Sequence, residues 1–193
     1  MSRPNRVTDS LKEMCEALRQ DEATTYEGGL TALGSFLGAE ASKPKGQGRC
    51  DSACVWDTAI WMTVEAKSEQ HSDGLLPLKD IRQANTQLDQ LAADRGVDHP
   101  PAGSPAIILS DRLTVDPRHA PVANPNVYLA STEVVEQIAG DIATVWSDLL
   151  TSATGIQFEQ VLRQHVRSVM TENGCLPSQV IARLTQTRIR PGD

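Results

Sequence analysis

The sequence predicts an α/β protein in which a mixed β-sheet is flanked by helices, with extra helices toward the C-terminus. Three observations point there. Apolar patterns follow the order α-α-β-β-α-β-β-α, and residues 50–66 read as a β-hairpin. Two short unbroken apolar runs, Ala106-Ile107-Ile108-Leu109 and 126–130, look like strands buried on both faces.

The opening helix is marked by Val7, Leu11, Met14, Cys15 and Leu18 on one face, with Ser10 and Glu13 spaced as a capping box. A second helix is expected over 25–37. Tyr26, Leu30, Leu33 and Leu37 form its stripe, and Gly38 stands where a C-terminal cap belongs. Gly28 and Gly29 weaken it by about 1 kcal/mol each relative to alanine, the usual sign of close packing or simple tolerance. Residues 42–49, SKPKGQGR, read as a loop. Strands are expected over 50–56 and 59–66, with Asp57 and Thr58 as a tight turn. A polar loop, 68–77, leads to a helix over 78–95 with Ile81, Ala84, Leu88 and Leu91 on its inner side. Beyond the second buried strand, Ser131-Thr132-Glu133 opens a long helix to about 151, built on Val134, Val135, Ile138, Ile142, Val145, Trp146 and Leu149. Two more helices fit 156–170 and 177–184. No internal repeat or low-complexity tract is visible.

At 193 residues the chain can bury a real core, and 39% hydrophobic with 22% charged residues is ordinary for a globular protein. No apolar run nears the roughly 18 residues needed to cross a bilayer, and no apolar segment follows the basic start, so the expectation is a cytoplasmic protein with no membrane association. Cys15, Cys50, Cys54 and Cys175 suit small buried side chains better than a disulfide framework or a zinc site. A net charge of −7, from 18 basic and 25 acidic residues, argues against coating nucleic acid through bulk positive charge. The C-terminal stretch departs from that balance, with Arg163, Arg167, Arg183, Arg188 and Arg190.

The chemistry gathers at Thr63–Ser68, TVEAKS. Residues two apart on a strand share a face, so Glu65 and Lys67 stand side by side while Val64 and Ala66 enter the core. A hairpin partner brings Asp51 alongside. Mg²⁺ takes hard oxygen ligands and is usually held by one or two carboxylates with water and phosphate oxygens. Two carboxylates and an ammonium therefore suit metal-assisted phosphodiester hydrolysis. Lys67 would act as base, water-positioning group or charge stabiliser.

Asp51, thirteen intervening residues, then Glu65-Ala66-Lys67 resembles the PD-(D/E)xK nuclease motif, with Cys50 where the motif's name has proline. The segment Tyr26-Glu27-Gly28-Gly29-Leu30 is similar to the superfamily's acidic first helix, and Ile81-Arg82-Gln83-Ala84 to its glutamine-bearing helix. More narrowly, VEAKSE, PAIILSDRL and VYLASTEVVEQI resemble nuclease domains attached to bacterial DEAD/DEAH-type helicases in defence islands. The resemblance implies a restriction-endonuclease-like core over 23–152, preceded by a helical segment 1–22 and followed by a helical extension 153–193. It implies Mg²⁺ as cofactor, with Mn²⁺ as a substitute, and DNA as substrate. Asp51 and Glu65 would be metal ligands, Glu27 a further metal-side carboxylate, and Gln83 a supporting or phosphate-contacting residue, with Gln87 as a less favoured choice. A helicase or other antiviral defence protein is an implied partner. No G-x-x-x-x-G-K-[ST] loop occurs, so a helicase would lie on another polypeptide or outside this chain.

Competing readings remain beside these. Glu65 and Lys67 could be a solvated pair on an exposed strand, and Glu27 an exposed helix carboxylate. Lys43, Lys45 and Arg49 could touch phosphate or form a solvated basic loop. Of three tryptophans, Trp61 shares the face of Glu65 and Lys67 and is the candidate to stack on substrate, whereas Trp146 suits the core. Glu69 and His71 sit just past the motif, more simply as bystanders. The alternatives to a DNA endonuclease are a non-catalytic interaction module of the same fold and an RNA- or junction-directed nuclease. A homodimer using the helix 134–150 is a further expectation.

Overall fold

The computed structural model describes residues 6–67 and 72–190. Helices α1 (Arg6–Ala17) and α2 (Ala23–Phe36) lead into strands β1 (Glu40–Ser42), β2 (Ser52–Trp56) and β3 (Ile60–Ala66). Helix α3 (Leu78–Asp94) connects to β4 (Ala106–Leu109), and a short 3₁₀ turn (Ala120–Val122) precedes β5 (Val127–Ala130). Helices α4 (Thr132–Ser152), α5 (Glu159–Glu172) and α6 (Pro177–Leu184) follow, and β6 (Thr187–Arg188) ends the described chain. The result is an α/β protein with a six-stranded mixed sheet in the order β1-β2-β3-β4-β5-β6. The pairs β1–β2, β2–β3 and β5–β6 are antiparallel, whereas β3–β4 and β4–β5 are parallel.

The sheet separates two apolar layers. Met62, Val64, Ile107 and Leu109 point to the side holding α1, α2, α4 and α6. Trp61, Ile108, Val127 and Leu129 point to the side covered by α3. Period-two alternation along β3 thus assigns Trp61, Thr63 and Glu65 to the α3 face. Leu11, Met14 and Leu18 at one end of the chain, and Val180, Ile181 and Leu184 at the other, belong to one core with the sheet. Helices α1 and α6, with Met170 of α5, therefore share one core with the sheet.

The expected capping box is absent in one respect: α1 already begins at Arg6, so Ser10 lies inside it. At α2 the cap is Glu22, whose carboxylate accepts from the backbone N–H groups of Thr24 and Thr25. That arrangement holds the Glu22 carboxyl well below the usual range, through hydrogen bonding to Thr25 and Thr24. Gly38 closes the helix with φ 76°, a left-handed conformation that glycine adopts without a Cβ penalty. The β2–β3 turn spans 57–59, and Asp57 takes φ 50° there, as a turn residue can.

Close approach explains one glycine of α2 more strongly than the pair singled out from sequence. A Cβ on Gly34 would come 2.5 Å from Cys54 Sγ and 2.9 Å from Ala41 Cβ, so the helix lies directly on β1 and β2 at this point. At Gly29 it would meet Leu18 at 2.9 Å, and at Gly28 nothing within 4 Å. Gly34→Ala is expected to destabilise the protein by about 1–3 kcal/mol through overpacking. Gly28→Ala should stabilise it by up to about 1 kcal/mol through helix propensity. Urea unfolding of the two variants checks both signs.

Helix α4 is a core element. Val135, Ile138, Ala139, Ile142, Val145 and Leu149 are buried, and the outward stripe carries Glu133, Gln137, Asp141, Thr144 and Asp148. A polar, acidic stripe is a poor surface for the homodimer expected from this helix. Cys50, Cys54 and Cys175 are buried and Cys15 is half-buried, all as free thiols. Among the described residues no helix is long and apolar enough to cross a membrane.

Candidate active site

The site forms where the β2–β3 hairpin meets α2 and α3. The register pairs Ser52 with Val64, and extending it by one residue sets Asp51 across from Glu65 on the same face. The Asp51 backbone N–H donates to the Val64 carbonyl at 2.9 Å, and one Asp51 carboxylate oxygen accepts from the Ala66 N–H at 2.8 Å. Both ends of Asp51 are thereby tied to β3. Lys67 follows the strand, held by a 2.8 Å bond from its N–H to the Leu109 carbonyl of β4.

Glu65 is 2% exposed, which rejects the reading of a solvated surface pair. Its Oε1 accepts from Lys67 Nζ at 2.6 Å, and its Oε2 accepts from Gln87 Nε2. Lys67 Nζ also lies 3.6 Å from Asp80 Oδ1. Asp80 is 1% exposed and sits in the first turn of α3. From the other side the carboxylate of Glu27 on α2 lies near enough to act on Asp51 by its charge, and Lys43 pairs with Glu27. Glu27 has a side chain only 12% exposed, so it is not the surface carboxylate of the competing reading.

Four carboxylates (Glu27, Asp51, Glu65, Asp80) thus share one small volume with two ammonium groups, Lys43 and Lys67. The imbalance is felt at Asp51. Burial, then the charge of Glu65, and to a smaller degree Glu27, push its carboxyl up to about 7 against the opposing Ala66 bond. The same cluster acts on its neighbour: burial, with the charges of Asp51 and Glu65, pushes the Cys50 thiol up to about 12, so that side chain is inert. For Lys67, burial favours the neutral amine, but the hydrogen bond and charge of Glu65, with Asp80 and Asp51, outweigh it and leave the pKa raised. Lys67 is an ammonium here, suited to stabilising charge and unsuited to taking up a proton.

The donor set decides which cofactor the site could take. Among the described residues the ligating atoms here are carboxylate oxygens, with no imidazole beside them and Cys50 held as a neutral thiol, which suits Mg²⁺ or Mn²⁺ and not zinc. Among the described residues no three His, Cys, Asp or Glu side chains stand together in ready ligand geometry. Mg²⁺ does not require three, since one or two carboxylates with water and phosphate suffice. Asp51 and Glu65 fit that role, with Glu27 behind Asp51. A dication would offset the excess of carboxylates over ammonium groups.

Several sequence expectations fall elsewhere. Gln83 is half-buried one turn before Gln87, and it is Gln87, buried at 1%, that contacts Glu65. Arg49 turns back onto α3 and pairs with Asp94 at 2.7 Å, seven residues past Gln87 and away from Lys67. Lys45 is exposed, so of the three basic loop residues only Lys43 joins the cluster. Trp61 is 5% exposed, donates to the Asp57 carbonyl at 2.7 Å and has the Arg95 guanidinium 5.5 Å from its ring centre. It is a packed residue at the far end of β3, not a stacking platform. Trp146 is likewise structural, meeting Phe36 edge-on and donating to its carbonyl at 3.1 Å. Glu69 and His71 lie outside the described residues.

Asp80 went unrecognised in the sequence and Gln87 was ranked below Gln83, yet a signal existed. Positions 80, 84, 87 and 91 lie on one helical face, and Ala84 and Leu91 mark that face as buried. A polar side chain on a buried face needs a partner, and here the partners are Lys67 and Glu65. Gln87→Leu is expected to destabilise the protein by about 1–3 kcal/mol, because Glu65 loses its buried hydrogen-bond donor, while Gln83→Ala stays near wild type. Urea unfolding of the two variants checks the assignment. Compared with known proteins, the chain matches no family model, no curated protein and no solved structure.

Proposed function

We propose that this protein is a metal-dependent nuclease of the PD-(D/E)xK type that hydrolyses phosphodiester bonds of DNA. One observation carries the reading. Asp51, Glu65 and Lys67, separated by up to sixteen positions in sequence, converge at one end of the hairpin with Asp80 buried behind them. Burying Glu65 and Asp80 and half-burying Glu27 and Asp51 costs stability unless the cluster has a use. Mg²⁺, when bound, polarises the scissile phosphate and makes a coordinated water acidic.

The protein's own groups do the rest. Asp51 and Glu65 would hold the cation, with the Ala66 N–H fixing Asp51 and Gln87 fixing Glu65. Lys67 stays charged between Glu65 and Asp80, so its ammonium is available to stabilise negative charge growing on the phosphate. The raised proton affinity of Asp51 marks an excess of negative charge that a bound cation would relieve.

A second reading, a non-catalytic module of this fold, draws support from the lack of a ready three-ligand cluster among the described residues. The experiment that separates the two is incubation of plasmid, linear and single-stranded DNA, and of RNA, with Mg²⁺, Mn²⁺ or EDTA. The proposal expects cutting with either metal and none with EDTA. Intact substrates throughout would favour the module, and preferential cutting of RNA would move the assignment to an RNA-directed enzyme. Partnership with a helicase or other defence protein belongs to the same proposal: the chain is acidic overall and needs help to hold DNA.

A further inference from the structure

Helix α5 is poorly covered for its composition. Only Met170 of its fourteen residues is buried. Phe158, Leu162, Val166 and Met170 recur every four residues and form one ridge along it, with Phe158, just before the helix, 75% exposed and the neighbouring Val161 52% exposed. Beside this ridge lies an open cleft of about 540 Å³, walled by the C-terminal end of α2 (Phe36–Gly38), by Trp146 of α4 and by Leu162, Val166 and Met170 of α5. Its lining is apolar except at one edge, where Arg163 and Arg167 stand one turn apart. Arg163 is engaged by Glu159 at 2.6 Å, whereas Arg167 has no ion-pair partner among the described residues.

We propose that this cleft docks an acidic amphipathic helix of a partner protein. The α5 wall of the cleft, Leu162 to Met170, is about 12 Å long at 1.5 Å per residue, a little over two helical turns. An apolar groove of that length accepts a helix through side chains at i, i+3/i+4 and i+7. The arginine edge selects the sign of the flanking charges. A second copy packed face to face would set the edge of Arg163 and Arg167 against itself, and its long helix α4 offers a polar stripe and no apolar one. The cleft lies at the opposite end of α2 from Glu27, about 14 Å away along the helix axis, so an occupant leaves the carboxylate cluster open. This inference stands apart from the nuclease proposal, since neither the cleft nor its charge depends on catalysis.

The test uses the full chain and a synthetic sixteen-residue amphipathic helix with leucines at heptad-like spacing flanked by glutamates. The control is the same peptide with lysines in place of the glutamates. Fluorescence anisotropy should show the acidic peptide binding with a dissociation constant on the order of 10 µM and the basic one at least about tenfold more weakly. Arg167→Glu, an exposed substitution that leaves the fold intact, should weaken the acidic peptide about tenfold and narrow or reverse the preference. Equal binding of both peptides, no binding of either, or indifference to Arg167→Glu overturns the proposal. So would concentration-dependent dimerisation in sedimentation that Arg167→Glu abolishes, because the occupant would then be a second copy.

Discussion

Replacing Lys67 by arginine is expected to lower DNA cleavage by about 10²- to 10³-fold while the protein stays folded. The guanidinium keeps a positive charge for Glu65 and Asp80 but is larger, planar and differently placed, so it no longer presents a point charge at the same position. Lys67→Ala should lose cleavage as completely and also lose stability, by about 3–5 kcal/mol. It leaves two buried carboxylates without the cation they share. Circular dichroism melts beside initial rates separate the two effects. Full activity in Lys67→Arg would remove Lys67 from the chemistry and leave it a purely structural ion.

Asp51→Asn should abolish metal-dependent cleavage and, without metal, make the protein more stable at neutral and alkaline pH. In the folded wild type the Asp51 carboxyl holds its proton to about 7, well above its ordinary value, because of burial and of Glu65 and Glu27. Between the ordinary carboxylate range and about 7 the folded state therefore binds more protons than the unfolded one, and stability falls as pH rises. Asparagine removes that loss and can still accept the Ala66 hydrogen bond. The gain should appear above about pH 4 and be complete above about pH 7. Asp51 is only half-buried, so solvent screening limits it to about 1–2 kcal/mol. Mg²⁺ should invert the order, because a ligand that binds the folded state stabilises wild type and not the variant. Melting curves across pH, with and without Mg²⁺, read both signs.

Much of the scaffold was legible from residue pattern. The runs at 106–109 and 177–184 became β4 and α6 with unchanged limits, because continuous burial and an N-terminal proline leave little choice. Strands β1 and β6 were not legible: three residues, Glu40-Ala41-Ser42, and two, Thr187-Arg188, carry no period and exist by pairing with β2 and β5. The helix expected from 156 begins at Glu159, since Phe158 takes an extended conformation as the cap.

The site shows the same division. Asp51, Glu65 and Lys67 could be brought together from the strand period and one hairpin, both local rules. Their surroundings depend on how α2 and α3 pack across the sheet, and no local rule fixes that. The apolar face of α3 marks Gln87 as inward, but not which strand residue it meets, and Asp80 looked like an ordinary first-turn acid at a helix N-terminus. The face that covers Glu65 also covers Trp61, which is why sharing a strand face with the cluster did not bring that tryptophan near it.

The most direct measurement is titration calorimetry of Mn²⁺ into wild type and Glu65→Gln at about pH 8, above the raised range of Asp51. The expected result is one cation bound per chain by wild type and binding weakened about 10- to 100-fold or lost in Glu65→Gln, with the variant folded. Equal binding by both proteins, or none by folded wild type, would contradict a catalytic metal centre at Asp51 and Glu65.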